Sequence, residues 1–223
     1  MIMNKNVVIT GANRGIGLAL VKGYIAQGYQ VYAVCRHSSV ELNALPVITV
    51  KDVDVTSDDG INKLLRDLEQ ITIDVLICNA GILRDESLSE LNIDTIRAQF
   101  EVNALAPLRI VSGLQAQLNS GAKVAMITSR MGSIADNGSG GRYGYRMSKA
   151  ALNAASMSLS IDLKPRNIAV GIYHPGYVQT DMVNYGGDIS ATESASRLIG
   201  LINQLDVTET GVFKHSNGQV LPW

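Results

Sequence analysis

Asn6-Val7-Val8-Ile9-Thr10-Gly11-Ala12-Asn13-Arg14-Gly15-Ile16-Gly17 is the stretch on which the fold of this chain turns. A short apolar run ends in a glycine-rich turn, and helical periodicity takes over at residues 15–27. A continuous apolar run is how a strand buried on both faces reads, because neither face meets water. The glycines allow a tight reversal and let the backbone approach a pyrophosphate, which the free amides and dipole of the following helix stabilise. The stretch predicts a strand–turn–helix unit whose turn, through Gly11, Asn13, Arg14, Gly15, Ile16 and Gly17, holds a phosphate group.

The same alternation recurs along the chain. Apolar runs rich in valine and isoleucine stand at residues 6–10, 30–35, 47–53, 73–78, 123–128 and 168–173, with a shorter one at 211–213. Between them, helical patterns predict helices at 15–27, 57–70, 94–118, 143–164 and 191–205. Strands alternating with helices imply a parallel sheet covered on both faces. The expectation is an α/β fold, a Rossmann-like doubly wound sheet of about seven strands. At 223 residues and 46% apolar content, the chain suits one domain spanning 1–223.

Composition narrows the function. The net charge is −1, with acids and bases dispersed, so no basic stripe points to nucleic acid and no basic amphipathic helix to a membrane surface. No uninterrupted apolar run reaches the roughly 18 residues of a bilayer span, and residues 1–6 lack the features of a secretory leader. The expected location is cytoplasmic. Cys35 and Cys78 lie in apolar runs, far from any Cys-x-x-Cys spacing, and read as buried small hydrophobes. His37, His174 and His215 form no cluster with ligand spacing, so no metal is expected.

Open parallel sheets bind ligands beyond the carboxyl ends of their strands. After the second run stands Arg36, where an acid would hold a ribose 2′-hydroxyl and an arginine would accept a 2′-phosphate. Arg36 and Arg14 together favour NADP(H) over NAD(H). Asp54 and Val55 follow the third run, where a carboxylate could accept from an adenine amino group; Asp52 is a rival. Asn79, Ala80 and Gly81 follow the fourth, small enough for close passage of the chain beside a cofactor. Tyr145 and Lys149 are four residues apart, so on a helix both leave the same face. A phenol beside a fixed cation is a tunable acid, although such a pair is also an ordinary solvated face.

Thr-Gly-x-x-x-Gly-x-Gly at 10–17, Asn-Ala-Gly at 79–81, Asn103, Ile127-Thr128-Ser129, Tyr145-x-x-x-Lys149 and Pro175-Gly176 with Thr180 resemble, in order and spacing, the short-chain dehydrogenase/reductase family. Residues 174–182, Gly211, Phe213, Pro222 and Trp223 look like its small carbonyl-reductase and C-factor-like branch. The resemblance implies hydride transfer between the nicotinamide of NADP(H) and a small carbonyl compound or its alcohol. Tyr145 would be the general acid/base, and Lys149 would lower its pKa and hold the nicotinamide ribose. Ser129 would orient the carbonyl oxygen, and Asn103 would link to the lysine through water. Pro175, Gly176, Val178 and Thr180 would support the nicotinamide. Family precedent suggests a homo-oligomer, dimer or tetramer.

Departures sharpen these expectations. Ser129 precedes Tyr145 by sixteen residues, with extra length near 136–141, and Ser133 is a competitor for the orienting role. Glycines at 137–141 and 186–187 make those loops candidates for mobility. The segment 182–191 is short, suggesting an open mouth that Met131, Tyr177, Met182 and Tyr185 could line. Tyr143 is a rival acid, but four residues on it meets Met147 and not a lysine. Other readings are a cofactor-sensing or signalling protein of C-factor type and, less favoured for lack of a substrate domain, a sugar-nucleotide epimerase.

Overall fold

The computed structural model describes residues 5–223; most of the leader reading, residues 1–4, lies outside the described residues. Residues 6–10 form β1 (Asn6–Thr10), whose alternate side chains go to opposite faces: Val8 packs in one core layer, Val7 and Ile9 in the other. The turn leads into α1 (Gly15–Ala26) and then β2 (Gln30–Val34), a short α2 (Val40–Asn43) and β3 (Ile48–Val50). After α3 (Asp58–Asp67) comes β4 (Ile73–Cys78). Next are α4 (Ile93–Phe100), a π-helical turn at Glu101–Leu105, α5 (Ala106–Leu114) and β5 (Leu118–Ile127). The chain closes with α6 (Tyr143–Leu163), β6 (Ala169–His174), α7 (Ala191–Gln204) and β7 (Phe213–His215).

The seven strands pair in the order β3-β2-β1-β4-β5-β6-β7, every neighbour parallel. From β1 the chain works outward to β3, then crosses to β4 on the other side. That reversal opens a crevice between the carboxyl ends of β1 and β4, where open α/β sheets take their ligands. One core layer sets Val8, Leu76, Val124 and Val170 against Leu64, Ile110, Leu114 and Leu152 of α3, α5 and α6. The other sets Val7, Ile77 and Ala125 against Leu20 and Val21 of α1 and Leu198 and Ile202 of α7. At roughly 1.5–3 kcal/mol per buried aliphatic side chain, these two layers supply the main stabilisation.

The expected single helix over 94–118 is broken. In the π turn the Ala106 N–H reaches back to the Glu101 carbonyl, and Pro107 has no N–H to give the Asn103 carbonyl four residues earlier. Leu118 belongs to β5, pairing with Ile73, and so begins that strand five residues before the expected position. The third strand is shorter than expected because Asp52 takes a positive φ of 60°, and the last begins after Gly211, whose φ is 81°. Among the described residues no helix is long and apolar enough to cross a membrane.

Candidate active site

The crevice is a cleft of about 1280 Å³. Its wall includes Gly11, Asn13, Arg14, Gly15, Ile16 and Gly17 of the first turn, then Arg36, Asp54 and Val55 toward the β3 edge. Asn79, Ala80, Gly81, Tyr145, Lys149, Pro175 and Thr180 continue it. Residues separated by most of the chain thus share one concavity.

Helices α2, α3, α4 and α7 begin on side-chain caps from Ser39, Ser57, Asn92 and Ser190, but α1 has none and no acid in its first turn. Its leading amides are left to an anion. Gly11 at φ 65° could not bear a side chain, since a Cβ would stand 2.9 Å from the Ala80 Cα; at Gly17 it would overlap the Gly11 carbonyl. The Thr10 hydroxyl accepts from the Asn79 and Ala80 amides at 3.0 and 3.1 Å, and Asn13 Nδ2 donates to the His37 carbonyl at 2.9 Å. The first turn is therefore tied to the ends of β4 and β2. Asp54 Oδ1 accepts from the amide and hydroxyl of Thr56, which, with Arg36 nearby, hold its carboxyl below the usual range. Asp54 lines the cleft and Asp52 does not. An uncapped helix start, close-packed glycines and two arginines at the adenosine-side wall fit a phosphorylated dinucleotide.

At the inner end, α6 carries Tyr145 and Lys149, both buried. Lys149 Nζ donates to the Ile127 carbonyl at 2.9 Å and lies 5.8 Å from the Tyr145 ring centre. Burial pushes the lysine pKa down to about 8. The phenol is raised above its ordinary value, chiefly by burial, with the Ser129 hydroxyl and Arg142 acting in the opposite sense. The net shift is thus opposite to the sequence expectation of a phenol lowered by Lys149, because burial dominates. Ser129 is the hydroxyl that meets Tyr145; it also caps the short turn Arg130–Gly132 by accepting from the Met131 amide. Ser133 accepts from the Asp136 amide at 3.1 Å, inside its own loop.

Four expected residues do not form the cleft wall. Asn103 is fully buried behind it: Oδ1 accepts from the Ile82 amide, and Nδ2 donates to the Ile82 carbonyl and to Ser148 Oγ. Ser129 is buried beside Tyr145. Gly176 forms a turn at φ 98°, and Val178 is buried in a bridge to Ile189. Of the expected mouth residues, Met182 and Tyr185 line the cleft, whereas Met131 and Tyr177 do not. Gly187 is needed for packing, since a Cβ there would collide with the Val178 main chain. The 137–141 loop is laced to α6, with Arg146 donating to the Gly140 and Gly141 carbonyls and to Ser139 Oγ.

A family model for short chain dehydrogenase matches residues 5–188. The chain belongs to the short-chain dehydrogenase/reductase family. It falls in the carbonyl-reductase and C-factor-like branch, as these similarities show. It is 35% identical to a 1-hydroxy-2-glutathionyl-2-methyl-3-butene dehydrogenase of Rhodococcus sp. (strain AD45), covering 97% of this chain and 99% of that one. It is 42% identical to the C-signal protein of Myxococcus xanthus over 68% of this chain and 93% of that one. NADPH-bound carbonyl reductase from chicken fatty liver superposes with a TM-score of 0.89 at 27% identity, covering 99% of both chains.

Ser148, Gly132 and Glu86 of this short-chain dehydrogenase support the site without standing out in the sequence, and Thr128, from the Ile127-Thr128-Ser129 motif, joins them. Ser148 bridges Asn103 to the Tyr145 carbonyl, and Thr128 donates to Asn153 Oδ1 at 2.7 Å beneath Lys149. Gly132 lets the Ser129 turn lie on α6; a Cβ there would stand 2.7 Å from the Lys149 carbonyl carbon. Glu86, 4% exposed, accepts from Gln99 Nε2 at 2.6 Å, the Thr95 hydroxyl at 2.8 Å and the Gly144 amide at 3.2 Å. It fastens the start of α6 one residue before Tyr145. Cys35 and Cys78 are free and buried, and burial pushes the Cys78 thiol up to about 12.

Proposed function

We propose that this chain, as one catalytic domain, is an NADP(H)-dependent oxidoreductase interconverting a small carbonyl compound and its alcohol. The observation that carries the reading is the meeting of Ser129, Tyr145 and Lys149 at the inner end of a cleft whose other wall bears Arg14 and Arg36. When bound, the nicotinamide supplies or accepts the hydride at the carbonyl carbon. Ser129 donates to the substrate oxygen and fixes its orientation, a preorganised donor where negative charge develops. Tyr145 delivers the proton to that oxygen in reduction and removes it in oxidation. Its raised pKa keeps the phenol protonated at neutral pH, the form that reduction needs. Lys149, protonated below about pH 8, favours the phenolate as the proton leaves and donates to the ribose hydroxyls. Asn103, whose carbonyl loses its α-helical donor to Pro107, would hold a water that returns protons to Lys149.

Arg36 and Arg14 are read as ligands of the 2′-phosphate, and Asp54 as a partner of adenine. The cited relatives bracket the direction: one is named for dehydrogenating a hydroxy compound and another as a carbonyl reductase. Met182 and Tyr185 give the mouth an apolar rim suited to an uncharged substrate. Exposed Leu105, Leu108, Met157 and Ile161, on the π turn, α5 and α6, favour self-association as a dimer or tetramer in the cytoplasm.

The test follows NADPH absorbance across aldehydes, ketones, diketones and quinones with wild type and Tyr145→Phe. The variant is expected to bind NADPH as wild type does and to lose at least about a hundredfold in kcat. Undiminished turnover would remove Tyr145 from the chemistry. A wild type that binds NADPH but turns over none of these compounds would favour a cofactor-sensing role, the reading to which the C-signal relative points.

A further inference from the structure

One contact in the cleft joins its two walls. Arg14, in the glycine turn, donates through Nη1 to Asp181 Oδ2 at 2.9 Å, across 167 residues of sequence. Asp181 opens a short helical turn, Asp181–Val183, in the segment that follows β6. Its second carboxylate oxygen accepts from the Tyr185 hydroxyl. Tyr185 and Asn184 hold the chain in place for this contact, both in the left-handed region at φ 59° and 49°, unusual for two adjacent residues other than glycine. Arg14, Asp181 and Tyr185 all line the cleft, and Gly15 and Thr180 approach one another beside them.

The charges set up a conflict. Arg14 is read above as a ligand of the 2′-phosphate, yet its guanidinium already has a carboxylate. The pair is open to water, with side chains 70% and 47% exposed, so it is weak and exchangeable. A dianionic phosphate brought to Arg14 must share it with Asp181 or displace it, and the two anions repel at short range. A cofactor without that phosphate meets no such competition.

We propose that Asp181, held by Tyr185, sets the cofactor preference of this protein through Arg14, competing with the 2′-phosphate and tempering selection of NADP(H) over NAD(H). The inference rests on the NADP(H) reading above. It makes Asp181 a positioning residue: it acts on the arginine, not on the reacting atoms.

The test is direct binding, by calorimetric titration of NADPH and NADH into wild type, Asp181→Asn, Arg14→Ala, Arg14→Ala/Asp181→Asn and Arg36→Asp proteins. Asp181→Asn is expected to tighten NADPH by about three- to tenfold and leave NADH unchanged, with a smaller gain at high salt. In the Arg14→Ala background the gain should vanish. Weaker NADPH binding in Asp181→Asn, an equal change for both nucleotides, or a full gain without Arg14 each overturns the competition. If wild type binds NADPH no better than NADH and Arg36→Asp changes nothing, the cofactor reading itself fails and takes the inference with it. A wild type that prefers NADPH beside an inert Asp181→Asn fails the inference alone.

Discussion

Lys149 is a cation kept almost entirely from water, and among the described residues its ammonium has a single acceptor, the Ile127 carbonyl. A pKa brought from 10.5 to about 8 means that folding is penalised wherever the unfolded chain holds this proton more tightly. The penalty at pH 7 is on the order of 3 kcal/mol, at about 1.4 kcal/mol per pKa unit. It eases as pH rises from about 8 and is gone once the unfolded lysine has also lost its proton. Lys149→Met is therefore expected to abolish turnover yet raise Tm by several degrees at pH 7. Calorimetry at pH 7 and pH 10 checks the sign: the gain should shrink at the higher pH. A Tm that falls equally at both would mean that the hydrogen bond to Ile127 outweighs desolvation. The pair Tyr145 and Lys149 was legible in the sequence because helical spacing is local. The direction of the phenol shift was not, since burial belongs to the tertiary fold.

At the scale of elements, the site depends on how α6 is seated. Its first turn is fastened by Glu86, a carboxylate that reads in sequence as one more charge in a polar loop beside Asp85 and Glu90. Only the fold sets it against Gln99 of α4 and Gly144 of α6, where a Cβ on Gly144 would lie 3.1 Å from Glu86 Oε1. Glu86→Ala leaves the Gly144 amide without an acceptor, while the Thr95 hydroxyl keeps the Asn92 carbonyl and Gln99 Nε2 the Thr95 carbonyl; it is expected to cost about 1–3 kcal/mol, read as a lower urea midpoint at unchanged slope. Glu86→Gln keeps the shape but sets one amide NH2 against the Gly144 amide or Gln99 Nε2, which can only donate, and should recover part of that stability while kcat stays depressed. Full recovery of both would show that shape alone suffices. The break between α4 and α5 had one trace in the sequence, Pro107 four residues after Asn103, too slight beside the apolar periodicity that runs through it.

For the whole molecule, the strand runs and their alternation with helices were enough to give the parallel sheet, because strands buried on both faces leave a pattern needing no partner to be seen. The ion pair of Arg14 with Asp181 and the packing of Gly132 on Lys149 join distant segments through single atoms, and nothing local records them. The outer half of the sheet also carries a response to acid. At the ends of β6 and β7, His174 and His215 meet edge to face, with ring centres 4.9 Å apart. His174 is pushed down to about 3, first by burial, then by His215, Arg130 and Lys149, against Asp136 alone. The unfolded chain takes up this proton near pH 6.5 and the folded chain does not, so stability falls as pH drops from about 6.5 toward 3. Urea unfolding of His174→Asn at pH 7 and pH 5 should lose less on acidification than wild type; an equal loss would assign the acid sensitivity to other groups.

The groups that fix the reacting centre are largely main chain: the Ile127 carbonyl under Lys149, the Ile82 amide and carbonyl on Asn103, and the α6 backbone against Gly132. Main-chain atoms are the same whatever side chain a position bears. The chemistry is thereby insulated from genetic drift at the rim, where Met182 can be exchanged without disturbing what lies beneath. Such a design is evolvable: selection or a targeted library can change what enters the cleft while the apparatus that acts on it stays where it was.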